Sequence, residues 1–183
     1  MEIEEIQQLK EEADRLYKEG RLERALDVYG AITEAAPDHA WAHSRIGAIM
    51  AQWDRLDEAE AALRRAIELD PQMAQAHSNL GNILYVRGEF EGALQKYQEA
   101  IAINPDNPVF HQNLHAANKK LGKLADAVAA LKRSHKLERQ ATKDEAKAQF
   151  AASSQRIKRR LGCLPATLLL LGTLIILGTA TLL

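Results

Sequence analysis

The chain has little to staple it together and little to do chemistry with. One cysteine, Cys163, among 183 residues excludes an internal disulfide and a cysteine-rich zinc site, and fits a reducing compartment. No glycine-rich phosphate loop precedes a helix, and there is no nucleophile elbow or zinc-protease pattern, so neither an enzyme nor a bound cofactor or metal is expected. Residues 1–5 have no basic start and no apolar core, which argues against a secretory signal or transit peptide. Two further absences lie toward the other end. From Leu124 until Gly162 neither proline nor glycine interrupts the chain, and after Arg160 the last 23 residues carry no charge.

The formal net charge of −1 averages two opposed parts. Residues 1–131 hold 14 Lys+Arg against 22 Asp+Glu, a net of −8, whereas residues 132–183 hold 10 against 3, a net of +7. An acidic body is a poor surface for nucleic acid, and a basic neck suits anionic lipid headgroups.

What the chain does have is a period of 34 residues. The turn column reads Gly20, Asp54, Gly88, Gly122, residue types that tolerate the positive φ of a tight turn between helices. An apolar column follows it: Leu22, Leu56, Phe90, Leu124. A small column, Ala25, Ala59, Ala93, Ala127, lets two helices approach closely. A third column, Tyr29, Leu63, Tyr97, Leu131, is expected to be buried, and Pro37, Pro71 and Pro105 stop helices. Apolar residues at helical spacing, such as Ala59, Ala62, Leu63, Ala66 and Ile67, predict helices over 3–18, 22–35, 40–52, 56–69, 74–86, 90–103 and 108–120, with no strand.

These columns resemble the tetratricopeptide repeat from about Ile6 to Glu138. Gly47 and Gly81 fill the small position of the first helix in repeats two and three; Glu12, Ile32, His115, Asn118, Ser134 and Arg139 depart from the pattern at the ends, as terminal repeats do. The resemblance implies an all-α fold: a right-handed superhelix of four helix-turn-helix repeats (about 6–37, 40–71, 74–105 and 108–138) filling residues 1–139. A C-terminal helical extension and one transmembrane helix complete the expected architecture, with 140–160 a basic juxtamembrane linker and 161–183 the anchor.

The family binds peptides or partner helices in a concave groove lined by the first helix of each repeat. On this chain that face comprises Lys10, Asp14, Arg45, Asn79, Asn82, Gln112 and Asn113, with Arg45, Asn79 and Asn113 in one column as a polar ladder. Some relatives grip a terminal carboxylate with a Lys, Asn, Asn, Lys, Arg set; here Lys10 matches but Asp14, Arg45, Gln75 and Asn79 do not, so such a clamp is not expected. His43, His77 and His111 also share a column, but successive repeats stand about 10 Å apart. Zinc ligands must sit near ~2 Å from one ion, so packing between repeats is the expected role. His111 and His115, four apart, make too small a ligand set.

Beyond Leu124 a long helix is expected to cover the fourth repeat and act as a spacer, with Ser153 and Ser154 the point where it would break. The uncharged stretch 161–183 is long enough to span a bilayer, with Pro165 near its start. The basic flank Arg156, Lys158, Arg159 and Arg160 places the repeats on the cytoplasmic side of a single-pass, tail-anchored protein. Cys163 reads as an ordinary interfacial residue, with lipidation the alternative. The recurrence of Gly172 and Thr173 as Thr179 and Ala180 would let a second copy's helix pack closely in lipid. The reading is a membrane-anchored adaptor or scaffold that collects a protein or peptide partner; the alternative is a structural accessory subunit of a larger membrane complex.

Overall fold

The computed structural model describes the backbone of residues 3–162 and the side chains of residues 4–156. The stretch 161–183 taken as an anchor therefore lies outside the described residues except for the backbone of Leu161 and Gly162, as do Cys163 and the side chains of Lys158, Arg159 and Arg160. Among the described residues no helix is long and apolar enough to cross a membrane.

All described secondary structure is helical: α1 (Ile3–Lys18), α2 (Leu22–Ala35), α3 (Ala40–Gln52), α4 (Leu56–Leu69), α5 (Ala74–Val86), α6 (Phe90–Ile103), α7 (Pro108–Lys120) and α8 (Leu124–Gly162). The first seven have the bounds expected from the periodicity. A compact unit runs from Met1 to Leu137, and a second begins at Glu138.

The turn column has one physical cause throughout. Gly20, Asp54, Gly88 and Gly122 have φ of 74°, 60°, 83° and 72°. The N–H of each following residue reaches back to the last turn of the helix: Arg21 to the Leu16 carbonyl, Arg55 to Met50, Glu89 to Leu84 and Lys123 to Asn118, at 2.9 to 3.0 Å. This is the Schellman closure, which satisfies carbonyls that a helix end leaves open. Asp54 adopts it with a Cβ, at a cost of about 1 kcal/mol that glycine avoids. Asp54→Gly should therefore raise stability by about that much, read as an upward shift of the chemical denaturation midpoint.

Behind each turn the paired helices close on small residues. Ala25, Ala59 and Ala93 are fully buried and Ala127 nearly so. At Gly47 an added Cβ would stand 2.6 Å from Leu63 Cγ, and at Gly81 it would stand 2.6 Å from Tyr97 Cε1. One core gathers Leu16, Tyr29, Ile32 and Ile49; the other gathers Leu63, Leu80, Ile83 and Tyr97. Leu26, Ile46 and Trp53 pack against both, so the repeats share one continuous apolar interior.

The last repeat differs from its expected pattern. Leu131 is only half-buried, and Leu124 and Val128 are 65% and 50% exposed, because among the described residues no further repeat covers them. The expected break at Ser153 and Ser154 does not occur: α8 passes through both, and the Ser153 hydroxyl donates to the Phe150 carbonyl within the helix.

Candidate functional site

The first helices α1, α3 and α5 line an open groove of about 560 Å³. Its walls are Tyr17, Trp41, Ser44, Arg45, Gln52, Asn79 and Asn82, with Ala48, Ala51, Met73 and Gln75. All come from one face of each helix: Trp41, Arg45, Ala48 and Gln52 follow the three- and four-residue steps of a helical stripe.

Aromatic rings and cations cluster at the first-repeat end. The Arg45 guanidinium lies 5.2 Å from the Tyr17 ring centre and 5.4 Å from that of Trp41, while Lys10 Nζ stands 4.9 Å over Trp41. Asp14 Oδ1 is 3.5 Å from Arg45, and the Gln52 amide donates to the Tyr17 hydroxyl at 3.0 Å. Beneath them Asp14 Oδ1 and the Tyr29 hydroxyl are buried without a hydrogen bond among the described residues. Burial first, and the Asp14 carboxylate second, push the Tyr29 phenol above its ordinary range.

The amides sit farther along. Gln75 donates to Asn79 Oδ1 at 2.9 Å, so the Asn79 oxygen is engaged within α5, and the residue lines the groove. Asn82 Oδ1 accepts from the Tyr97 hydroxyl at 2.8 Å and from Asn113 Nδ2 at 3.1 Å. Asn113 also donates to the Ser78 hydroxyl at 3.2 Å, so it ties α7 to α5. Of the residues expected on this face, Arg45, Asn79 and Asn82 line the groove. Lys10 and Asp14 support its aromatic end, and Asn113 and the exposed Gln112 lie outside its lining. Sequence reasoning passed over Tyr17, Trp41 and Gln52, although Trp41 and Gln52 stand four residues before and seven after Arg45 on one stripe. Arg156, on the expected basic flank, is exposed on α8.

The histidine column has a different role from packing between repeats. His43, His77 and His111 each place Nε2 within 2.9 to 3.0 Å of the carbonyl of Pro37, Pro71 or Pro105, six residues earlier. Each ring thereby closes the loop joining one repeat to the next. Among the described residues no three His, Cys, Asp or Glu side chains are grouped to hold a metal.

On the side of the second helices the repeats diverge at the position facing this histidine. Arg65 and Arg133 reach the loop carboxylates Asp38 and Asp106, at 3.4 and 3.0 Å. Repeat three has Glu99 there, held by Lys96 at 2.7 Å, by Gln95 at 3.0 Å and by His77 Nδ1 at 2.9 Å. Burial works against that carboxylate, but the Lys96 and Gln95 hydrogen bonds outweigh it and keep Glu99 below the usual carboxylate range. Glu60 is held low in the same way, by Arg64 and Arg87.

Comparison with known proteins agrees with this geometry. A tetratricopeptide repeat family model matches residues 16–83, and a second model, described as a TPR repeat, matches residues 81–122. Among solved structures, a crystal structure of MamA is 24% identical, with 75% of this chain and 81% of that one covered and a TM-score of 0.66. The first TPR of Spaghetti (RPAP3), bound to the HSP90 peptide SRMEEVD, is 20% identical, with 67% and 97% covered and a TM-score of 0.62. An O-GlcNAc transferase from Thermobaculum terrenum is 28% identical over 62% of this chain but only 22% of its own, with a TM-score of 0.60. No curated protein sequence matches. The chain is thus an all-α solenoid that carries tetratricopeptide repeats across residues 16–122.

Proposed function

We propose that the chain is a membrane-attached adaptor that holds an extended segment of a partner protein in the groove of α1, α3 and α5. Tetratricopeptide repeats generally mediate contacts between proteins, and the neighbour bound to an HSP90 peptide is one such case. The observation that carries the reading is the groove's make-up: Tyr17 and Trp41 give flat apolar contact at one end, and the Asn79 amide hydrogens meet a peptide's carbonyls at the other. Arg45, braced between the two rings and Asp14, gives the segment a fixed point. The uncharged stretch 161–183 and its basic flank supply the attachment, with the repeats on the cytoplasmic face.

A photoreactive amino acid in place of Asn79 should crosslink the partner in intact membranes, and mass spectrometry of the adduct identifies the segment. Arg45→Ala combined with Asn79→Ala should weaken capture about tenfold, the equivalent of about 1.4 kcal/mol. Unchanged capture would reject the groove. The attachment is tested apart from it: full-length chain that leaves membranes in alkaline carbonate is not held by residues 161–183.

A further inference from the structure

A second cavity, of about 380 Å³, lies between α6, α7 and α8. Its walls are Leu94, Leu114, Ala129 and Ala130, and its rim carries Lys123, Asp126 and Arg133. Asn118 lines it while only 4% exposed, which sets a polar amide among apolar walls.

Comparison with the preceding repeat shows what this space lacks. Thirty-four residues earlier the same positions hold Leu84, Gln95 and Lys96 where repeat four has Asn118, Ala129 and Ala130. There Gln95, Lys96 and His77 grip the Glu99 carboxylate. Repeat four keeps the histidine, His111, also lining the cavity, but has Arg133 at the carboxylate's position and no side chain in the space. Repeat three thus fills its slot with its own carboxylate; repeat four keeps the receiving histidine, adds two rim cations and lacks the carboxylate.

We infer that this cavity is a second docking point, which takes a glutamate side chain of a partner polypeptide. The aliphatic stem lies on Leu94, Leu114 and Ala130, and the carboxylate takes the place that Glu99 occupies one repeat earlier, facing the Asn118 amide, His111 and Arg133. Among the described residues Arg133 is otherwise engaged by the exposed Asp106, an ion pair that exchanges at little cost. His111 Nε2 faces the Pro105 carbonyl as His77 Nε2 faces that of Pro71, so Nδ1 is the ring atom that meets the carboxylate, as His77 Nδ1 meets Glu99 at 2.9 Å. The charged groups around that ring are Lys123 from the turn before α8, Asp126 and Arg133 from α8, and Asp106 from the loop before α7.

The test uses the full-length chain in detergent micelles and two capped tripeptides, Ala-Glu-Ala and Ala-Gln-Ala, followed by amide NMR at pH about 6. The glutamate peptide should shift the Asn118 side-chain and the Ala129 and Ala130 backbone signals, and bind about tenfold more tightly than the glutamine peptide. Gln98→Arg restores the exposed arginine of repeat two, and Asn118→Leu restores the leucine of repeat three; each should abolish the shifts while the remaining spectrum keeps its dispersion. Equal response to both peptides, or shifts that survive both substitutions, would overturn the inference. Shifts confined to Asn79 and Asn82 would also overturn it while leaving the groove reading intact.

Discussion

Valine at position 81 is expected to lower the unfolding free energy by about 3 kcal/mol, at the upper end of the cost of forcing extra carbons into a packed interior. The reason is local. An added Cβ meets Tyr97 Cε1 at 2.6 Å and Cδ1 at 2.8 Å, both in a ring that is 2% exposed and anchored by its hydroxyl to Asn82. The ring has no open direction to move in, so α5 and α6 must part. Alanine is milder: it gains about 1 kcal/mol of helix propensity over glycine, and repeat one buries Ala13 in this column against Tyr29, so the same pair of columns accepts a methyl there. Urea denaturation of wild type, Gly81→Ala and Gly81→Val should rank in that order, with valine well separated from the other two. A valine variant as stable as wild type would mean that the close approach of α5 to α6 is not what the glycine is for.

The repeat frame follows from residues that act through the backbone or through helix spacing. A positive φ at Gly20, Asp54, Gly88 and Gly122, and contact at Ala25, Ala59, Ala93 and Ala127, are each dictated by one residue type at one position, and a period exposes them. Partner choice is another matter. Whether Asn113 faces the groove or turns to Asn82 and Ser78 depends on side chains 31 and 35 residues away, which no local pattern encodes. The same holds for the histidines: their column was visible, but its meaning lies in Pro37, Pro71 and Pro105 carbonyls brought within reach only after the loops fold. Serine at 153 reads as a helix breaker because its hydroxyl competes for backbone groups; here the hydroxyl bonds within the helix, and α8 continues. One mark of the outer cavity was open to a comparison of copies, since Asn118 is the polar member of a column otherwise held by Leu16, Met50 and Leu84.

Tyr97→Ala should have the largest effect of any single change in this core, a loss of about 3 to 5 kcal/mol for deleting a buried aromatic ring. Tyr97→Phe separates two contributions within that figure. It keeps the ring against Gly81 and removes only the hydroxyl that donates to Asn82 at 2.8 Å, so it should cost about 1 kcal/mol. Because Asn82 lines the groove and Asn113 leans on the same oxygen, phenylalanine there should also disturb partner capture, although position 97 is 2% exposed and does not line the groove. Combining Tyr97→Ala with Gly81→Ala closes the cycle: the methyl at 81 then projects into space the ring has vacated, so the double variant should be more stable than the sum of the single losses by about 1 kcal/mol. Strict additivity of the two denaturation shifts would show that the glycine and the tyrosine are not one packing unit. The link from core to groove would then rest on the hydroxyl alone.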